Sequence, residues 1–327
     1  MMRSLRLTER AYDNGVSRRG LRLTAAAALI SAALLAALGV GEVSGVLSDW
    51  QAFVLGVVQG FTELLPISSS GHLILVPWLG DWTYLEEHPD FNKTFDVALH
   101  LGTLIAVVAY FWDDIVALVA AWFRSVGHRG IRSAEERTAW CVFAATIPAA
   151  LAGALGESVV EEHLGEPWQI ALFLAVFGVL LWLADRMPQE KKIADLRFGQ
   201  AIAIGVAQAA ALAPGVSRSG ITITMARALR FDRDAAARFS FLLLVPVVLG
   251  AVLYKGLTDV VLGELPDGWG GPFLVGTLAA AGSGLIAIEA LLGYVRRHDY
   301  SIFVVYRLVI AALILLLIAS GVRDATF

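Results

Sequence analysis

A single cysteine, Cys141, occurs in the 327 residues, and it lies in an apolar run. That excludes a disulfide framework and a thiolate metal site. Basic residues never gather into one patch. The arginines are dispersed over several loops, which argues against nucleic-acid binding. Short segments of alternating polarity are missing too, and with them the signature of a transmembrane β-barrel. The net charge of −4 is small, and a membrane chain is read loop by loop.

What the chain has is apolar length. It is 57% hydrophobic, against roughly 45–50% for a soluble domain. Its mean hydropathy is +0.70. The apolar residues fall into blocks of about 18–22, the length that crosses a bilayer. The reading is an all-α polytopic membrane protein.

Residues 1–22 are polar and basic, and an apolar run follows from Thr24 to about Val46. The run is long for a signal peptide, no clean A-x-A site ends it, and more spans follow. An uncleaved anchor helix is expected, with residues 1–47 as tail plus anchor. Further apolar runs lie near 94–112, 138–155, 168–184, 236–257, 272–293 and 302–320. Two more apolar regions, 50–79 and 198–228, are broken by PISSSGH and APGVSRSG. Irregular backbone at membrane depth needs protein or a wet cavity around it. Both are therefore read as re-entrant helix pairs.

Loop charge agrees. Segments 124–137, 186–197 and 227–238 each carry four Lys or Arg, whereas 81–90 and 157–166 carry four acids each. Placing the basic loops and the N-terminus in the cytoplasm satisfies every loop only if both broken regions return to the side they started from. The first pair then opens outward and the second inward. GVVQGFTELLPISSSG at 56–71 aligns without gaps on GVAQAAALAPGVSRSG at 205–220, an offset of 149. The chain thus reads as an inverted-topology repeat. Residues 48–185 and 186–327 are its halves, each a re-entrant pair plus three transmembrane helices.

In such folds the broken helices meet near the midplane and build the binding site. Their N-termini suit an anion. Ser68, Ser70, Ser217 and Ser219 stand where caps belong and form a candidate phosphate cradle; the alternative is that they only cap helices. Arg218 lies deep in grease, where a charge costs at least about 2.5–3.5 kcal/mol. It either pairs with Glu63 as a structural salt bridge or forks onto phosphate oxygens. Gln59 and Glu63, at i and i+4, share a helix face. Glu63 is a candidate to bind a divalent cation, position a water or orient His72. Gln59 is neutral, so no two-carboxylate metal site is offered. His72 is a candidate general base toward Ser69 or a nucleophile itself. His100 ranks either as packing or as a support just behind the site, and Glu289 and Arg307 as intramembrane charges able to pair structurally.

QGFTELLPISSSGH and PGVSRSGIT resemble the two signature motifs of the bacterial undecaprenyl-diphosphate phosphatases of the UppP/BacA family. The resemblance covers roughly residues 48–320. It implies removal of the terminal phosphate from the C55 polyprenyl diphosphate, recycling of the cell-wall lipid carrier, and bacitracin resistance. It implies catalytic roles for Glu63, Ser69, His72 and Arg218, phosphate contacts for Ser217 and Thr222, and dependence on a divalent cation, Mg2+ or Ca2+. A polyprenyl diphosphate and the bilayer are the expected partners, with homodimer formation left open. Gln59 departs from the more familiar Glu. Two rivals share features: a lipid-phosphate or anion transporter on the same architecture, and a phosphatidic-acid-type phosphatase. The latter's further His falls on Thr224, and its leading Lys…Arg-Pro motif is missing.

Overall fold

The structure is a computed structural model that describes residues 47–82, 84–261 and 268–326. The expected anchor run at 24–46 lies outside the described residues.

Helix α1, Asp49–Leu64, starts with a capping box. Ser48 Oγ accepts from Gln51 N at 3.2 Å, and Gln51 Oε1 accepts from Ser48 N at 3.1 Å. It stops because Leu65 precedes Pro66 and is pushed to extended backbone. Helix α2 is Ser69–Gly80. After one turn at Tyr84–Glu87 come α3, Pro89–Tyr110; α4, Trp112–Gly127; α5, Ala134–His163; and α6, Pro167–Asp185. The next helix, α7, Phe198–Ala209, ends in a 3-10 turn, Ala210–Leu212, before Pro214. Then follow α8, Arg218–Ala228; α9, Arg233–Lys255; α10, Gly270–Val295; and α11, Ser301–Ala319.

Six of these, α3, α5, α6, α9, α10 and α11, are long and apolar enough to cross a membrane, and each falls on an expected run. The four helices of the broken regions are not. At 1.5 Å per residue, the 16 residues of α1 make about 24 Å and the 12 of α2 about 18 Å, against a hydrocarbon core of about 30 Å. Helices α7 and α8, with 12 and 11 residues, are equally short.

Helix α4 was not anticipated; residues 124–137 read as a loop. Its apolar stretch, 115–123, is bounded by Asp113 and Asp114 on one side and Arg124 on the other, so it is far shorter than the block of about 20 that marks a membrane span.

Packing is exchanged between the halves. Helix α1 lies on α10, and α7 lies on α5; α3 also meets α10, and α9 also meets α5. Helices α3 and α9 touch each other, as do α6 and α11. The closest approaches are made by glycine. A Cβ at Gly56 would stand 2.4 Å from Gly276 O, and one at Gly205 would stand 2.3 Å from Ala145 O. Gly56 and Gly205 are 149 residues apart, so aligned positions of the two broken regions both make close backbone approaches. Small residues at the seam are what helices in lipid need, since lipid is as apolar as leucine and packing is the drive.

The basic loops meet at one end. Arg137 donates to Leu196 O and Ala194 O, Lys191 N to Arg230 O, and Arg296 pairs with Asp234. Buried Asp185 accepts from Arg227, Arg233 and the Tyr300 N–H there. Elsewhere, Leu47, Leu85, Phe91 and Phe273 share one cluster, and Arg323 pairs with Asp81. Hydrogen bonding from Arg323 holds the Asp81 carboxyl below its ordinary range.

Candidate active site

Each broken region turns at a serine in positive φ, Ser68 at 77° and Ser217 at 76°. Such backbone costs of order 1–3 kcal/mol for a residue other than glycine and persists only where its surroundings enforce it. Both serines cap the helix that follows. Ser68 Oγ accepts from Gly71 N at 3.4 Å, and Ser217 Oγ from Gly220 N at 3.0 Å. Ser68 Oγ also accepts from Gly215 N at 3.1 Å, and Ser219 Oγ donates to Leu65 O at 2.9 Å. The two turns are thus stitched to each other. Ser70 is half-buried in the first turn of α2.

Glu63 stands where they meet. Arg218 grips its Oε1 through Nη2 at 2.9 Å and Nε at 3.3 Å. Ser69 Oγ donates to Oε2 at 2.5 Å, and Gln59 Nε2 approaches the same oxygen at 3.5 Å. Arg218 is held in turn, with Nη1 on Ser240 O at 2.7 Å. Thr222 Oγ1 donates within 2.8 Å of both Arg218 O and Ser240 Oγ. Ser69 and Arg218 both therefore meet Glu63, and the Glu63–Arg218 salt bridge weighed from sequence is present. Both charges are largely buried, 5% and 12% exposed, so removing either strands the other at a cost of about 3–5 kcal/mol.

His72 faces elsewhere. Its Nδ1 meets Ser68 O at 2.6 Å and its Nε2 meets Tyr306 Oη at 2.8 Å. The imidazole at Glu63 is that of His100, whose Nε2 lies 3.5 Å from Oε2. The ring is aimed by Nδ1 on Asp96 O at 2.7 Å. His100 thus stands as a support of the site, one of the two places the sequence left open for it. Ser240 and Tyr306 were not singled out from sequence. Arg307 and Glu289 do not pair with each other: Glu289 accepts from Tyr110 Oη at 2.6 Å, and Arg307 donates only to backbone carbonyls.

Among the described residues no group of three or more His, Cys, Asp or Glu could hold a metal ion. The oxygens on offer are the Glu63 carboxylate and Gln59 Oε1, which is buried and has no hydrogen-bond partner among the described residues. That orphaned acceptor beside a carboxylate fits a hard cation that takes its remaining ligands from a substrate's phosphates and water.

A many-spanning α-helical membrane protein, with two serine-capped turns stitched around a buried Glu–Arg–Ser cluster, is the class these observations define. Residues 52–313 match the family described as "Bacitracin resistance protein BacA", and the chain belongs to that family. It is similar to proteins named undecaprenyl-diphosphatase. It is 47% identical to the one of Moorella thermoacetica over 265 residues, covering 81% of this chain and 95% of that one. Those of Desulforudis audaxviator and Thermomicrobium roseum are each 44% identical, over 273 and 283 residues. These alignments cover 83% and 84% of this chain and 98% and 99% of the relatives.

Proposed function

We propose that the protein is an integral membrane phosphatase that hydrolyses undecaprenyl diphosphate to undecaprenyl phosphate and inorganic phosphate. This returns the cell-wall lipid carrier to use and confers bacitracin resistance. The observation that carries the reading is the Ser69–Glu63–Arg218 contact, formed where two helix N-termini converge. A hydroxyl held by a carboxylate, with a guanidinium beside it, is what phosphoryl transfer asks of a protein.

The lipid tail stays among the helices while the diphosphate occupies the cradle of Ser68, Ser217, Ser219 and the first N–H groups of α2 and α8. Arg218 turns from Glu63 to the terminal phosphoryl oxygens. Ser69 Oγ attacks the terminal phosphorus as Glu63 takes its proton. The bridging P–O bond breaks, and polyprenyl monophosphate leaves. Water then attacks the phosphoserine, its proton staying with the phosphate released, and Glu63 returns a proton to Ser69. Glu63 and Gln59 would hold a divalent cation together with the diphosphate, and such an ion supplies charge neutralisation.

The same reading makes both broken regions re-entrant and the halves inverted. Three observations support this: the exchange of packing between halves, the short broken helices, and the bonds that join 185–197 to 227–238 at the basic end. The N-terminus is then cytoplasmic and the cradle opens outward. Cysteines introduced near Asp81 and Arg230 should label from opposite sides of the membrane.

The test is phosphate release from undecaprenyl diphosphate by detergent-purified protein, with and without chelator. A transporter on this architecture would bind the lipid and release no phosphate. The packing exchange alone favours that second reading; the Ser–Glu–Arg contact does not.

A further inference from the structure

Helix α11 carries Tyr306 and Arg307 next to each other behind the two turns. Arg307 is fully buried. Its Nε donates to Leu174 O at 3.0 Å and its Nη1 to Pro66 O at 3.3 Å. Its Nη2 reaches Phe173 O at 3.3 Å, Gly215 O at 2.9 Å and Val216 O at 3.0 Å. Three of these carbonyls belong to the turns, one from the first and two from the second. No carboxylate among the described residues pairs with this guanidinium, so carbonyl dipoles alone compensate a charge that is expensive at this depth. The contacts also have a direction. In a trans peptide the N–H points opposite to the C=O, so Val216 O bonded to Arg307 turns the Ser217 N–H away from it.

Tyr306 reaches the first turn through His72. A carbonyl only accepts, so the 2.6 Å contact fixes His72 Nδ1 as the protonated nitrogen donating to Ser68 O. Nε2 then accepts from the Tyr306 hydroxyl at 2.8 Å, and the rings stack at 5.7 Å. Both ring nitrogens are engaged, and the Ser69 hydroxyl sits on Glu63 instead.

We propose that His72, Tyr306 and Arg307 form one support that fixes the two serine turns, and that His72 is a positioning residue, neither the base toward Ser69 nor a phosphorylated nucleophile. This rests on the reading of Ser69 and Glu63 as the reacting pair. Asn at position 72 can still donate to Ser68 O yet can neither accept a phosphoryl group nor shuttle a proton.

The experiment compares kcat, KM and the pH profile of phosphate release from undecaprenyl diphosphate by the purified full chain and its variants. H72N should keep kcat within about tenfold of wild type with an unshifted pH profile, far from the roughly 10²–10⁴-fold that general acid–base catalysis supplies. Y306F should match H72N, and the H72N/Y306F double variant should be no worse than either, because one hydrogen bond is lost in each case. R307K, which keeps charge but cannot reach carbonyls of both turns, should lose about 10²-fold in kcat with KM little changed, as a displaced site does. Inhibition by inorganic phosphate should weaken in parallel.

A 10³-fold loss in folded H72N, a trapped phosphohistidine, or multiplicative losses in the double variant would overturn the proposal. So would wild-type kcat in R307K. Should R307K not fold, Y306F and H72N decide by themselves. Failure of the underlying reading looks different: S69A would retain full activity, or the wild-type chain would release no phosphate at all.

Discussion

Ser69 and Arg218 occupy matching places in the two broken regions, 149 residues apart, and both reach Glu63. The same offset pairs Ser68 with Ser217, whose φ angles differ by one degree and whose hydroxyls cap the third residue beyond them. It pairs Gln59 with Gln208 as well. At Glu63, however, the second copy has Leu212, and at His72 it has Ile221. Backbone is repeated and chemistry is divided. The first arm supplies carboxylate and hydroxyl, the second supplies the guanidinium. A carboxylate at both matching places would set two negative charges beside a diphosphate and leave Arg218 shared between them. Gln208 records the division: it is buried, and neither polar atom of its amide has a partner among the described residues, whereas Gln59 keeps Nε2 near Glu63.

The largest break in this comparison is Arg218→Ala. Losing the guanidinium removes the charge aimed at the transferring phosphoryl group and strands Glu63. Phosphate release should fall at least about 10³-fold while the protein still inserts, as measured on purified protein and by membrane fractionation. Arg218→Lys should recover little, because a point charge cannot span Glu63 and Ser240 O.

Next in size is the contrast between the two glutamines. Gln59→Leu should lower phosphate release, since it removes an amide from Glu63 and the free oxygen beside it. Gln208→Leu removes two buried unpartnered polar atoms, each a cost of about 1–3 kcal/mol when left unmade. It should raise thermal stability in detergent with activity unchanged. Equal losses from both would show that the division of labour between the arms is drawn in the wrong place.

The two caps can be separated more finely. Glycine accepts positive φ, and at an N-cap it costs only a few tenths of a kcal/mol relative to serine. Ser217→Gly also gives up a 3.2 Å contact to Ser219 Oγ, but that lies within its own turn, so the loss of stability should be small. Ser68→Gly should cost about 1 kcal/mol more, because Ser68 Oγ also accepts from Gly215 N of the other arm. Smallest is His100→Gln. It replaces one donor to Glu63 by another, and kcat should change by less than about threefold; a larger loss would move His100 into the reaction itself.

The broken arms were legible because proline, glycine and serine interrupt apolar runs at a fixed offset, and the six spans because apolar length is a local property. Helix α4 escaped since its apolar run, 115–123, is bounded by charges and too short to mark a span. Ser240, Tyr306 and Arg307 escaped as parts of the site for another reason. Arg307 bonds residues 91–241 positions away in sequence at the turns, and nothing adjacent to it announces the partner. His72 shows the reverse. Its neighbourhood in PISSSGH suggested Ser69, yet the ring lies on Ser68 O and on a hydroxyl from α11.

Local chain chemistry therefore settled what could be settled within a turn or two: where helices start, where they break, and which lengths suit a bilayer. Which donor meets which acceptor was settled by packing. Short helices from one half rest on long helices of the other, and small residues let those backbones close. Only that closure brings the guanidinium of Arg218 within about 3 Å of a carboxylate that already holds the Ser69 hydroxyl, because the distance between side chains of distant segments is a property of the packed whole.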